Sequence, residues 1–420
     1  MTAPPLGRDY RLLWSAAVSS RLGDALRTPA LALLAATLTR DPRVIAAVTV
    51  AGQLPPLLFG LLGGVYADRW DRRRTMAVVD GLRAAVIGAL ALAVALDRAG
   101  VAALVTVAFL LAALGTLFDA ASFAMLPSVV PPAALPRANG RLQAGSAVAG
   151  GFLGAPAAGV LFALAAPLPF AVDALTFLCA ALLTLALRPV PSRPGASPGR
   201  RSVWREGIEG VRWVRGDAML WRLTVATAGS NLAISGLMAV LVLYALDVLR
   251  VPPAGYGLFA AGAVLGGLVG GLGAGRLAAR LGTVPALRLV LAGQAVALTG
   301  LALARHPVPG GLALAVFAAG TTVWNGLWAS YGQRHVPPAL LGRVGAAQRM
   351  VGLLTAPVGA ALAGVAGAAY GVGPVAAAVA GVFVLVTLAA WRTLRPAAPA
   401  PAAGPTNAAT AARPGRRPSR

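Results

Sequence analysis

Gly64-Val65-Tyr66-Ala67-Asp68-Arg69-Trp70-Asp71-Arg72-Arg73-Arg74 closes one apolar run and opens the next. Residues 44–66 before it and 75–96 after it are each about as long as a helix needs to cross ~30 Å of hydrocarbon. Two acids and four Arg wedged between two such runs mark a short turn at a membrane surface. Working outward, further runs occupy roughly 12–38, 101–125, 142–165, 170–187, 223–249, 256–279, 284–304, 311–331, 347–370 and 373–394, twelve spans in all. Gly, Pro or charged residues interrupt 12–38, 142–165 and 347–370. Of the 420 residues, 58% are hydrophobic and only 12% charged, and mean hydropathy is +0.76. An ordinary soluble domain carries roughly 25% charged residues. Runs of ~20 apolar residues, rather than ~10 alternating ones, make the spans helices and not barrel strands. The expectation is an all-α membrane protein.

The formal charge is +23, and all 36 basic residues are Arg. Without Lys there is no Walker A phosphate loop and no Schiff-base chemistry. The single Cys179 lies in an apolar run, which rules out an internal disulfide. His306 and His335 lie far apart and make no metal site by themselves. No nucleophile–base or metal constellation stands out, so neither an enzyme nor a cofactor is expected. The first apolar run is too long, and too charged in its middle, for a cleavable signal peptide. If the N-terminus is inside, 28 Arg fall in inner segments, five in outer loops and three within spans. That bias places both termini in the cytoplasm of a multi-pass cell-membrane protein. Dispersal over seven segments also accounts for the charge without nucleic acid.

The chain repeats itself. Val130–Arg137 (VPPAALPR) recurs as Val336–Arg343 (VPPALLGR), 206 residues on, and Gly64–Arg69 recurs as Gly271–Arg276, 207 on. Two motifs at nearly one spacing argue for two pseudo-symmetric six-helix bundles, a transporter architecture. We place the N-terminal bundle at 1–188, a linker at 189–222, the C-terminal bundle at 223–395 and a disordered basic tail at 396–420. The linker's second part has apolar residues at helical spacing with Arg between them, as in an amphipathic surface helix.

The segment 64–74 resembles the cytoplasmic loop motif of the major facilitator superfamily, G-x-L-A-D-R-x-G-R-R-R, with Asp71 where that pattern has Gly. The resemblance implies a gate formed by Gly64, Asp68, Arg69, Arg72, Arg73 and Arg74. Its second copy has Gly275 in place of the acid, so a weaker gate is expected in the C-terminal half. LGD at 22–24, FDAASFAMLPSVVP at 118–131, AVDALTFL at 171–178 and REGIEGVRWV at 205–214 resemble the branch that includes macrolide-type and siderophore exporters. That implies a secondary active exporter, usually a proton antiporter. Gly150, Gly154, Pro156 and Gly159 resemble the Gly/Pro kink motif of facilitator antiporters, and equally fit generic small-residue packing. The resemblance also implies a structural or gating role for Asp119 and Asp173. Span 4 lacks the Arg that the family associates with proton coupling.

Charges within spans point to function because burying them is costly. Asp24 lies ~18 Å along span 1, near midplane, with Arg21 and Arg27 three residues to either side. The trio reads either as a self-neutralising cluster or as a site for protons or a cationic substrate. Gln53, Asn231, Gln294, Trp324, Asn325 and Trp328 are further cavity candidates. Trp324 and Trp328 share a helical face and suit an aromatic ligand or ordinary packing. The leading expectation is a monomeric, proton-coupled exporter of a lipophilic or amphipathic small molecule. Its rivals are a nutrient uptake permease and a non-transporting membrane sensor or scaffold.

Overall fold

The computed structural model describes residues 6–67, 71–131, 134–188, 211–336 and 341–393, and every regular element among them is helical. In a bilayer no water is available for backbone polar groups, so each rod must satisfy its own. The first half contains α1 (Arg8–Leu38), α2 (Pro42–Ala67), α3 (Arg72–Ala95) and α4 (Val101–Val129). Its fifth rod is α5 (Leu135–Ala147), a π-helical stretch Val148–Gly154 and α6 (Ala155–Leu164), and α7 (Leu168–Leu185) is its sixth. The second half contains α8 (Ala218–Leu243, with a π-helical turn Tyr244–Val248), α9 (Pro253–Leu281), α10 (Thr283–Leu303), α11 (Pro307–His335), α12 (Leu341–Tyr370) and α13 (Val372–Thr393). Ten of these rods are long and apolar enough to cross a membrane. The other two, α1 and α2, have 31 and 26 residues and complete the twelve. Arg21, Asp24 and Arg27 keep α1 from meeting the same measure of apolarity.

Local chemistry sets the breaks. The Asp71 carboxylate caps α3 by accepting from the Arg74 N–H at 3.1 Å. Asp217 caps α8 by accepting from the N–H groups of Met219 and Leu220, each at 2.9 Å. Gly282, at φ 80°, takes the left-handed turn between α9 and α10 that other residues rarely adopt. Pro156 lacks an N–H, and the helix just before it widens to π geometry, a common accommodation at such a site. The rods outrun their apolar runs: the fifth begins at Leu135 rather than 142, and α12 at Leu341 rather than 347. Helices extend past the hydrocarbon wherever interfacial water can take over.

The sequence repeat is visible as geometry. Both ends of α4 and α11 lie 206 residues apart, and so do the starts of α5 and α12. The bundle has a linker end, where α1 begins and α13 finishes, and a distal end opposite. Near the distal end a single hydrophobic cluster runs through both halves, from Leu33 and Phe170 to Leu237, Leu301 and Phe383. Near the linker end the core splits in two. Tyr10, Leu13, Met76, Phe118 and Met125 form one cluster, and Leu220, Leu223, Leu287, Trp324 and Trp328 form the other. The halves are therefore joined distally and separate towards the linker end. Val214, in the helical residues 211–216, is buried in the second cluster, so this stretch docks its apolar side on its own half.

Candidate functional site

Seven charged side chains converge inside the N-terminal half. Asp24 Oδ1 accepts from Arg27 Nη2 and from Arg83 Nη2, both at 2.6 Å. Arg83 also reaches Asp80 at 3.3 Å and the Ser20 hydroxyl at 3.0 Å. Arg27 reaches Asp173 at 3.5 Å, and Arg21 lies 2.7 Å from Asp119 and 3.8 Å from Asp24. Four rods contribute: α1, α3, α4 and α7. The network is graded in burial. Asp80 and Asp173 are fully buried and Arg83 nearly so, whereas Arg21 and Asp119 are half-exposed. The Phe177 ring lies 4.1 Å below the Arg83 guanidinium and 5.8 Å from that of Arg27. Cations over aromatic faces are attracted by the ring quadrupole. Gly23 admits Asp173: a Cβ there would fall 2.1 Å from Asp173 Oδ1.

Four carboxylates thus face three guanidiniums. Their pairing is uneven. Asp24 is held by two short contacts, whereas Asp80 Oδ2 and Asp173 Oδ1 are buried with no hydrogen-bond partner among the described residues. A polar cavity of about 330 Å³ opens beside Asp24, Arg21 and Asp119.

A larger cavity of about 620 Å³ lies between the halves. Rods 1, 2, 4 and 5 line it from one side, and α8 and α9 from the other. Its wall is mainly Ala, Leu, Ile and Val, with Thr28, Thr49, Gln53 and Tyr256 as polar points. Arg27 is the only charged side chain lining it among the described residues, so one guanidinium belongs to both the cavity and the ionic network. Gln53 Oε1 is buried at its wall without a hydrogen-bond partner among the described residues.

The distal seam closes this cavity. Gly159 and Gly257 bring the fifth rod and α9 into backbone contact, and a Cβ on Gly257 would sit 2.1 Å from the Ala155 carbonyl oxygen. Gly364 and Gly367 do the same for α12 against Pro42 and Ala46 of α2. At the lip, Arg40 Nη1 meets Asp247 Oδ1 at 2.9 Å. These two residues are 207 apart, the spacing of the repeat, so the ion pair joins matching corners of the two halves.

Asp24, Arg21, Arg27, Asp119 and Asp173 come together in one network, and Gln53 lines the cavity. Of the kink residues, Gly150 and Gly154 face Ala25 of α1, Pro156 follows the π stretch and Gly159 lies in the distal seam. Other candidates fall elsewhere. Gln294 donates to Thr321 Oγ1 at 2.9 Å inside the C-terminal half. Trp324 and Trp328 are buried in that half's core, and Trp324 Nε1 donates to Thr227 Oγ1 at 3.3 Å. Asn231 is half-buried beside Gly352 of α12, and Asn325 is exposed. In the loop motif, Gly64 ends up in the last turns of α2 and Arg72–Arg74 open α3, while Asp68 and Arg69 lie outside the described residues. Arg73 donates to the Leu185 carbonyl of α7. Asp71, the departure from the family pattern, is the helix cap. Asp80 and Arg83, not among the residues expected from the sequence, complete the network, and their three-residue spacing within an apolar span is the sequence signal that marks them.

Two six-rod bundles around a central cavity define a secondary-transporter fold. A family model described as the Major Facilitator Superfamily matches residues 13–360, and the chain belongs to that family. Among solved structures, a mutant form of the nucleoside transporter NupG superposes with a TM-score of 0.76 at 14% identity, covering 91% of this chain and 100% of that one. A bacterial homologue of the iron transporter ferroportin in its inward-facing state gives 0.74 at 17% identity, covering 93% and 99%. A bacterial ferroportin homologue in the outward-facing state with soaked iron gives 0.55 at 17% identity, covering 92% and 99%. No curated protein matches the chain in sequence.

Proposed function

We propose that this transporter exports a lipophilic or amphipathic small molecule in exchange for protons, by rocking residues 1–188 against 223–395. The observation that carries the reading is the sharing of Arg27 between an apolar central cavity and a network with one carboxylate in excess. An apolar wall with a few polar points suits a guest of mixed character. A proton taken up by the network would free Arg27 from one of its acids and change what the cavity offers.

Asp173 is the best-placed carrier of that proton. Its contact to Arg27 is the longer of that guanidinium's two, and its second oxygen has no partner among the described residues. Asp24, held from two sides, suits a fixed counter-ion. This moves the coupling role from the midplane acid that the sequence favoured to its neighbour on α7. Arg21 and Asp119, half-exposed on the polar cavity, suit a proton path into the network. The Arg bias puts the linker end in the cytoplasm. With that orientation the split cores face inward and the distal seam is the closed outer gate, in line with the better superposition on the inward-facing ferroportin homologue. Arg72–Arg74, with Gly64, Asp68 and Arg69, would form the inner gate when the halves rock.

Reconstitution into proteoliposomes, with proton flux followed while a panel of lipophilic compounds is supplied, tests this reading. Flux that depends on a compound, with the compound moving against the protons, is expected. Compound and protons moving together would indicate uptake. No flux with any compound, from protein that binds several of them, would favour the sensor or scaffold.

A further inference from the structure

A groove of about 770 Å³ runs along the wall of the N-terminal half, floored by α1. On one side, Trp14 and Val18 face α5 at Gly145. On the other, the Ser19 hydroxyl donates to the Thr176 carbonyl of α7. The fifth rod meets the C-terminal half through Gly151 and Gly159, while Gly145 turns to α1. The groove therefore opens away from the interface between the halves, and it shares no lining residue with the central cavity.

Its two ends differ in chemistry. Arg11 and Arg141 stand at the linker end, and neither guanidinium has a hydrogen-bond or ion-pair partner among the described residues. Arg137, one turn before Arg141 and exposed, adds a third positive charge at this level. Deeper in, the lining turns apolar: Val18, Leu22, Val148 and Leu153. Val148 and Leu153 are 51% and 54% exposed, as side chains facing acyl chains would be. From Arg11 to Leu22 the helix rises ~16 Å, close to the depth of one leaflet in a core of ~30 Å. The Tyr10 hydroxyl donates to the Ala138 carbonyl and Trp14 Nε1 to that of Arg141, both at 3.0 Å. These two bonds pin α1 to α5 and fix the spacing of the cations. Basic side chains at headgroup depth attract anionic lipid, and Trp favours that layer.

We propose that this groove binds an anionic phospholipid of the leaflet at the linker end, its phosphate between Arg11 and Arg141 and one acyl chain along Val18, Leu22, Val148 and Leu153. Because α1 also carries Asp24 and Arg27, the bound lipid would steady the helix that the ionic network is built on. The proposal needs the membrane fold and does not depend on the direction of transport.

Native mass spectrometry of the purified full-length chain, supplied with phosphatidylglycerol or phosphatidylcholine, tests it. Phosphatidylglycerol should be retained about thirtyfold better, as expected for two cations at the headgroup at about 1 kcal/mol each. Arg11→Gln with Arg141→Gln should bring retention down to the phosphatidylcholine level. Val148→Trp, which fills the groove and keeps both cations, should also lower retention, and Arg305→Gln at the distal end should change nothing. Equal retention of the two lipids, or full retention by the double variant eluting as folded protein, would overturn the proposal. Displacement of phosphatidylglycerol by excess inorganic phosphate would overturn it too, marking a site for a free anion.

Discussion

The two halves repeat each other at one spacing and bury different chemistry. In the N-terminal half, Arg21 of α1 pairs with Asp119 of α4. At 206 residues further on, α8 carries Thr227 and α11 carries Asn325, and Asp24 has Ser230 as its counterpart. In the C-terminal half, Arg222 and Arg288 reach carbonyl oxygens of α13 at the linker end, and the contacts deeper in are neutral: Gln294 to Thr321, Trp324 to Thr227, and the Tyr244 hydroxyl to the Leu301 carbonyl at 2.6 Å. The same bundle thus forms with and without buried ions. Buried ion pairs are often no better for stability than apolar residues of similar size. A bundle of this kind does not need such an ionic set in order to fold, and under the proposed mechanism that set does the work while the other half is the partner against which it rocks.

The largest expected effect breaks the ionic side of this contrast. Arg83→Gln leaves Asp24 with one partner fewer and Asp80 without its guanidinium, and should cost about 3–5 kcal/mol. Gln294→Leu on the neutral side removes two hydrogen bonds, to Thr321 Oγ1 and to the Phe317 carbonyl, and should cost about 1–2 kcal/mol. Thermal unfolding in detergent at matched expression compares them. Equal losses would mean that the two halves depend on their polar contacts alike.

Next in size is the distal seam. Gly257→Ala drives a methyl into the Ala155 carbonyl, and overpacking of this kind costs about 1–3 kcal/mol. Here the cost falls on the distally closed state, so the variant should favour the distally open one. Cross-linking between cysteines placed on the two sides of the seam should drop in Gly257→Ala and hold in Gly273→Ala, where an added methyl meets nothing.

Much of this was legible in the residues. Twelve spans, two halves and the 206-residue spacing follow from apolar run length and from two copied motifs. Asp24, Arg21 and Arg27 were readable because a charge in an apolar run stands out. Their partners were harder to see. Sequence spacing shows neighbours on one helix, whereas Arg83 and Asp173 reach Asp24 and Arg27 from other rods. Trp324 and Trp328 share a face, but only the packing of α11 against α8 and α10 shows that this face points into the core. The Arg40–Asp247 pair is legible only after the halves are superposed, since each residue alone is an ordinary surface charge.

That pair gives the smallest effect. Both partners are about half-exposed or more, and such pairs contribute below about 1 kcal/mol. Arg40→Asp should shift the distal equilibrium by up to roughly fivefold, and adding Asp247→Arg should restore it. Failure of the double swap to restore cross-linking would remove the ion pair from the gate.

The central claim is that protonation within the N-terminal network, at Asp173, drives the exchange between states. Spin labels at Arg98→Cys and His306→Cys, matching distal loops of the two halves, with Cys179→Ser, allow a direct test in lipid nanodiscs without a known substrate. Double electron–electron resonance should show the distal distance distribution changing between mildly acidic and mildly alkaline buffer. In Asp173→Asn, with the side chain fixed in its neutral form, the distribution should not respond to pH. A full pH response in the folded Asp173→Asn protein would contradict the account.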